Sequence, residues 1–191
     1  MGCKGTKTEQ NLLKAFAGES QARMRYTFFA EKAKEEGFEQ IAALFLETAE
    51  NEKEHAQRFF NFLDRGEGLE ITAAYPAGLV GTTAENLKAA AAGENEEWSE
   101  LYPEFAKVAE DEGFKDVATA FRLISKVEVE HEKRYLKLLE NVEKDQVFKK
   151  EGKSRWKCRA CGYVHEGTSS LKKCPVCLKS EAYFELKEGN Y

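Results

Sequence analysis

Two stretches of the chain place apolar residues every three or four positions and interrupt the stripe with the same polar pair. One runs Phe38, Ile41, Phe45, Thr48, Glu52, His55, Phe59, Phe62; the other runs Phe114, Val117, Phe121, Ile124, Glu128, His131, Tyr135, Leu138. Each pattern predicts the buried face of a long amphipathic helix. In both, a Glu-x-x-His pair takes positions where leucine is expected, and its spacing sets carboxylate and imidazole one turn apart on one face. Burying such a pair uncompensated is costly, and a metal ion is the compensating partner this chemistry suggests.

The punctuation of the pattern predicts four helices. Thr6-Lys7-Thr8-Glu9 reads as a capping box opening the first, which runs to Gly37, and the second follows from Phe38 to near Gly66. A long connection through Tyr75-Pro76 and Gly78 leads to a second capping box, Thr82-Thr83-Ala84-Glu85, opening a third helix that runs to Gly113; a fourth extends from Phe114 to about Lys144. Pro103, inside the third, removes the hydrogen bond to the Ser99 carbonyl, so a kink or bulge is expected there. The two halves repeat at one constant spacing: Glu36-Gly37-Phe38 as Glu112-Gly113-Phe114, Phe45 as Phe121, Glu52 as Glu128, His55 as His131. Two helical hairpins joined by one long crossover make an all-α, ferritin-like four-helix bundle.

Counted outward from Gly37 and Gly113 at about 1.5 Å per residue, Glu19, Glu52 and His55 in one half and Glu94, Glu97, Glu128 and His131 in the other fall within about one turn of a common level. Glu19 lies on the inward stripe Leu12, Phe16, Glu19, Arg23, Tyr26, and Glu94 and Glu97 lie on Leu87, Ala90, Glu94, Glu97, Leu101. One Glu from each of two helices plus Glu-x-x-His from the other two is a dinuclear carboxylate pattern. That donor set, with open positions, suits iron or manganese and oxygen chemistry. Glu97 is an extra carboxylate, since the repeat puts Gln21 in its place, and it is the candidate for movement on and off a metal and for proton delivery. Tyr26 and Tyr102 obey the repeat and lie just beyond the ligands, where their hydroxyls could bond the carboxylates; plain core packing is the alternative reading.

At 191 residues the chain is long enough for one good core and a small second unit. With 33% charged residues of mixed sign and a formal net charge of −5, it does not offer a nucleic-acid surface. No apolar run has the length of a membrane span and the start lacks the apolar core of a secretory signal, so no membrane partner is expected and the cytoplasm is the default. Met1-Gly2-Cys3-Lys4-Gly5-Thr6 matches a myristoylation pattern, for which a chance match in a disordered start is the simpler reading; a role for Cys3 stays open. The charged stretch from Lys144 to Lys153 reads as a linker, dividing residues 1–146 from residues 147–191. Beyond it, Cys158, Cys161, Cys174 and Cys177 form two Cys-x-x-Cys pairs, a tetrahedral four-thiolate site that takes zinc or iron. A tail this short draws much of its folding energy from that metal. His165 is expected at the surface or beside the site, because four thiolates already fill it.

The segments Phe16-Ala17-Gly18-Glu19, Glu52 through His55, Gly93-Glu94 with Glu97, Glu128 through His131, and the Cys-x-x-Cys-Gly-Tyr and Cys-Pro-x-Cys loops together resemble the rubrerythrins, nearly end to end. The resemblance implies two iron ions in the bundle, where hydrogen peroxide is reduced to water, and one iron in a rubredoxin-like tail; it is what selects iron over zinc there. It also implies a protein electron donor, a rubredoxin or a reductase, feeding the tail, and the tail feeding the di-iron site, in a peroxidase of oxidative-stress protection. A ferroxidase or oxidase using dioxygen is the alternative on the same cage, and a non-enzymatic metal-binding protein is the alternative from another class. Because His131 lies well before the end of the fourth helix, the linker begins roughly 20 Å along the axis from the cage. At least a homodimer is therefore expected, with the tail of one chain serving the bundle of another.

Overall fold

The computed structural model describes residues 2–64 and 66–189; Met1, with which the acylation pattern begins, lies outside them. Helices α1 (Lys7–Glu35) and α2 (Glu39–Phe60) form one antiparallel hairpin. After the crossover come α3 (Thr83–Glu96), a π-helical turn (Glu97–Leu101) and α4 (Tyr102–Asp111), which together pack against α5 (Lys115–Glu143) as the second hairpin. A small antiparallel sheet follows, with β1 (Lys149–Cys158) in the centre, β2 (Val164–Ser169) on one side and β3 (Phe184–Leu186) on the other.

Both hairpin turns are built alike. Gly37 and Gly113 have φ of +83° and +88°, a conformation only glycine adopts freely, and Phe38 and Phe114 donate their N–H groups back to Ala33 and Ala109 at 2.8 and 2.7 Å. The glutamate before each glycine then reaches across to the other hairpin. Glu112 accepts from the N–H groups of Lys7 (3.1 Å) and Thr8 (2.8 Å) at the head of α1, and Glu36 accepts from Thr83 N–H (2.9 Å) at the head of α3. These carboxylates satisfy orphan donors and meet the positive ends of the helix dipoles. Burial opposes the Glu112 charge, but its bonds to Thr8 and Lys7 outweigh that and hold its carboxyl below the usual range. A depressed pKa contributes stability that is present above the unfolded value and lost as pH falls through the folded one. Glu112→Gln should therefore cost a few tenths of a kcal/mol at neutral pH, the scale of a solvent-screened charge at a helix start, and the gap to the parent in urea unfolding should close on acidification below the ordinary glutamate range; a pH-independent gap would mean the charge is not what caps α1.

The start of the chain is not disordered as expected. Cys3 is 3% exposed, donates its thiol to the Phe62 carbonyl (3.4 Å), and its own carbonyl accepts from Thr6. Packing against Leu12, Phe59 and Phe105 draws it into the core. The linker is also shorter than the charge pattern suggested, since Lys149 already pairs with Ser169 in the sheet. The first half of β1 is flanked by β2 alone, so its charged side chains remain in water and do not oppose strand formation. The sheet unit rests on the turn between α1 and α2: Phe148 stacks on Phe38 at 6.1 Å, and a Cβ on Gly37 would stand 3.7 Å from Ala182.

The expected irregularity near Pro103 is the π turn. Seven positions separate Glu19 from Tyr26 but eight separate Glu94 from Tyr102. The wider turn absorbs the additional residue, with Tyr102 N–H reaching the Glu97 carbonyl, and so returns Tyr102 to register with its counterpart. The Trp98 carbonyl, which a regular helix would have bonded to Tyr102, accepts instead from the Ser125 hydroxyl at 3.2 Å.

Candidate metal centre

Between two apolar clusters, one around Tyr26, Phe45 and Tyr135 and the other around Leu12, Phe59 and Phe121, the bundle holds a polar layer. The two Glu-x-x-His pairs face each other there, with the His55 and His131 rings stacked 6.0 Å apart. His55 Nδ1 lies 2.9 Å from Glu52, 3.0 Å from Glu128 and 3.7 Å from Glu19; His131 Nδ1 lies 2.8 Å from Glu128, 3.2 Å from Glu52 and 3.7 Å from Glu94. Potential ligand atoms thus converge in two groups, Glu19, Glu52, His55, Glu128 and Glu52, Glu94, Glu128, His131, each within 4.8 Å. Glu52 and Glu128 belong to both, so each would be shared by two cations held there.

The donor set fits a pair of cations. Its four carboxylates are at most 1% exposed. Yet Glu19 Oε2, Glu94 Oε2, both oxygens of Glu52 and Glu128, and both histidine Nδ1 atoms lack an acceptable hydrogen bond among the described residues. Converging orphans of this kind are expensive unless a positive charge stands among them. The titration behaviour agrees. Burial, with the charge of Glu52, pushes Glu94 up to about 8; burial, with Glu97, Glu128 and Glu52, raises Glu19 well above the usual range. Burial works against the imidazolium form, but the surrounding carboxylates overcome it and lift His55 to about 9 and His131 to about 12. Without metal the cage holds protons as counter-charges, and cations taken up there displace them.

Tyr26 and Tyr102 are more than core packing. Each is 1% exposed and reaches across between the hairpins: Tyr26 from α1 donates to Glu94 Oε1, and Tyr102 from α4 to Glu19 Oε1, both at 2.6 Å. Each phenol fixes one carboxylate oxygen and leaves the other, the orphan, for a metal. Burial and the nearby carboxylates raise both phenol pKa values, so both remain donors.

Glu97 stands apart. Although expected among the ligands, it belongs to neither convergent group, and the π turn starts at it. It is half-buried at the floor of a cavity of about 380 Å³ lined also by Gly18, Arg25, Tyr75 and Tyr102. Burial, then the charges of Glu94, Glu128 and Glu52, raises its pKa well above the ordinary carboxylate range. Sequence reasoning missed Tyr75, whose only signal was an aromatic residue before Pro76 in the crossover. It also passed over Tyr135 as an ordinary stripe residue; that ring packs between Tyr26 (5.4 Å) and Phe45 (5.2 Å), one turn beyond His131.

In the tail all four cysteine sulfurs lie within 4.8 Å, with Cys158 3.6 Å from Cys177 and Cys161 3.6 Å from Cys174. A tetrahedral ion with bonds of about 2.3 Å spaces its sulfurs about 3.8 Å apart, which these distances approach. Gly162 and Leu178, both at positive φ, donate to the carbonyls of Cys158 and Cys174 and close the two knuckles. Burial opposes the Cys174 thiolate, but the N–H groups of Cys177 and Val176 prevail and bring it down to about 7. Cys158 and Cys174 are buried whereas Cys161 is exposed, so one edge of the site faces solvent; His165, half-buried on β2, is not part of the group.

A ferritin-like bundle with two overlapping carboxylate–histidine groups, joined to a four-thiolate knuckle domain, defines a dinuclear-metal carboxylate protein with a second, four-thiolate metal site of its own. The chain belongs to the rubrerythrin family: the Rubrerythrin model matches residues 10–139, and the model for the rubrerythrin rubredoxin-like domain matches residues 156–185. It is 62% identical to the rubrerythrin of Porphyromonas gingivalis, over 98% of this chain and 94% of that one. To the rubrerythrin of Nitratidesulfovibrio vulgaris it is 51% identical, over 98% of both. Among solved structures it is similar to fully reduced, all-ferrous nigerythrin, with a TM-score of 0.63 and 31% identity over 97% of this chain and 92% of that one. Iron is accordingly the metal of both sites, a di-iron centre in the carboxylate–histidine cage and a single iron at the four cysteines. No helix among the described residues is long and apolar enough to cross a membrane.

Proposed function

We propose that the protein is a cytoplasmic peroxidase that reduces hydrogen peroxide to water with electrons admitted through its tail. The observation that carries this reading is the joining, in one chain, of a buried dinuclear cage to a four-thiolate site with one solvent-facing edge, since storing iron requires no such electron inlet. In this reading residues 1–146 are the reaction domain and residues 147–191 the electron-transfer domain. Glu19, Glu52, His55, Glu94, Glu128 and His131 hold the iron pair, and Cys158, Cys161, Cys174 and Cys177 hold the single iron. When bound and reduced, the iron pair supplies two electrons, one from each metal, to the O–O bond of peroxide. Tyr26 and Tyr102 orient Glu94 and Glu19 through their hydroxyls, keeping the unbonded oxygens aimed inward. Glu97, with its raised pKa and half-buried place beside the cage, carries the protons that two departing water molecules require and is free to swing toward a metal.

The test is a stopped-flow comparison on protein of measured iron content. The reduced bundle should be reoxidised by peroxide much faster than by dioxygen, while faster reaction with dioxygen would make the protein an oxidase.

The same reading includes a head-to-tail dimer. The tail packs on the turn at Gly37, roughly 20–25 Å along α2 from its own cage. Residues 147–191 carry ten Lys and Arg against five Glu, whereas residues 1–146 carry 19 Lys and Arg against 29 Asp and Glu. A basic tail and an acidic bundle attract between copies, and two-fold symmetry would satisfy both pairs at once. Mixing a variant lacking tail cysteines with one lacking cage ligands should restore donor-driven turnover in hybrid dimers. If subunits exchange and no activity returns, electrons stay within one chain.

A further inference from the structure

We propose that Glu132 is a positioning residue that sets Glu97 beside the cage, clasping the π turn to α5 through Asn95 and Trp98. The inference rests on the reading of Glu97 as the proton carrier. Glu94 and Glu19 are each fixed by a phenol, from Tyr26 and Tyr102, but neither phenol bonds Glu97. Glu97 also opens the π turn, where regular α-helical bonding lapses. Its carboxylate therefore stands where the backbone of that turn puts it. A π turn is the rarer form of helix, and bonds from outside hold it against the regular one. Here α5 supplies them. Trp98 donates its indole N–H to Glu132 Oε2 at 2.7 Å, Asn95 donates its side-chain amide to Glu132 Oε1 at 3.0 Å, and the Ser125 hydroxyl donates to the Trp98 carbonyl at 3.2 Å.

Both oxygens of one carboxylate are thus held by side chains on either side of Glu97. Ser125 and Glu132 lie about two turns apart on α5 and bracket Glu128 and His131. The helix that contributes these two members of the cage therefore also sets the turn that carries Glu97. The internal repeat separates this clasp from general bundle packing. Under the repeat that carries Glu52 onto Glu128 and His55 onto His131, Ser125 and Glu132 fall on Ala49 and Ala56, which are 2% and 6% exposed. Those alanines offer no side-chain donor or acceptor, and their half pairs α2 with α1, which runs uninterrupted from Lys7 to Glu35. The polar pair occurs in the half that has the π turn and the extra carboxylate. Asn95, Trp98 and Glu132 are all half-buried, so the bonds between them are partly sheltered from water.

Glu132→Gln tests this with little change of size, because a carboxamide has a single oxygen and one of the two donors loses its acceptor. Trp98→Phe removes the indole N–H and keeps an aromatic ring. Hydrogen exchange of the iron-loaded protein, followed by mass spectrometry, should be faster by at least about tenfold over residues 95–103 in either variant, the scale of a lost bond to a charged acceptor. Exchange in α2 around Glu52 should stay as in the parent. Single-turnover reoxidation of the reduced bundle by peroxide should slow about ten- to a hundredfold, as misplacing a reacting group does. The deciding measurement is a double-mutant cycle: in a Glu97→Gln background, Glu132→Gln should slow the reaction no further, because it acts through the group already removed. Additive slowing would overturn the proposal and make Glu132 a general support of the fold. Exchange and rate both unchanged in the two variants would overturn it as well. Failure of the underlying reading is distinguishable, since Glu97→Gln by itself would then react at the parent rate; failure of the clasp alone would leave Glu97→Gln slow.

Discussion

Replacing Cys174 with serine is expected to abolish turnover supported by a protein electron donor while leaving the bundle able to consume one equivalent of peroxide after chemical reduction. Cys174 is fully buried, and its sulfur lies 3.6 Å from that of Cys161 within the four-sulfur group. Serine offers a hydroxyl of far higher pKa in place of a thiolate, so the four-sulfur site no longer forms. The loss is structural as well as electronic. The tail's apolar cluster consists of Trp156, Phe184 and the buried cysteines themselves, with a few half-buried neighbours, too little to hold three strands without the metal. Donor-driven turnover should fall by at least about a hundredfold, the scale on which losing an essential group is felt, together with the visible absorption of the tail iron. Single-turnover peroxide reduction by the dithionite-reduced variant should match the parent. Donor-driven turnover at the normal rate would show that electrons bypass the tail.

Glu97→Ala is expected to keep both irons of the cage and lose peroxide turnover. The separation is possible because Glu97 lies outside both convergent ligand groups, whereas Glu52 and Glu128 lie in both. Removing a positioned proton carrier costs about 10²–10⁴-fold. Glu97→Gln, similar in size but unable to carry the proton, should be impaired to a like degree; a Gln variant with full activity would make Glu97 a spacer. Unchanged turnover in iron-replete Glu97→Ala would remove it from the reaction altogether.

Much of this architecture was written in local pattern. The two Glu-x-x-His pairs, their repeat, the capping boxes at Thr6 and Thr82, and the four cysteines depend on spacing along one helix or one loop, which side-chain chemistry alone can read. The bundle followed because two amphipathic hairpins of similar length have few ways to bury both stripes. Boundaries were less legible where the signal was composition. The charged run after Lys144 looked like a linker, yet its second half is strand, because backbone pairing with β2 tolerates charge on side chains that stay in water.

What the sequence by itself determined is therefore which residues face inward and at what level, including every member of the two convergent carboxylate–histidine groups. Only the tertiary structure decided how they are shared and held. That Glu52 and Glu128 sit in both groups, that Tyr26 and Tyr102 cross between hairpins to the opposite glutamates, and that Glu112 and Glu36 cap each other's hairpins are facts about neighbours far apart in the chain. Glu97 shows the difference most directly. Helical periodicity counted it inward with Glu94, and the structure keeps it beside the cage but outside both convergent groups, where it also lines the cavity next to Gly18 and Tyr75. An irregularity near Pro103 was legible in the sequence, but its form as a π turn depends on the helices packed around it, with Ser125 on α5 taking up the freed Trp98 carbonyl.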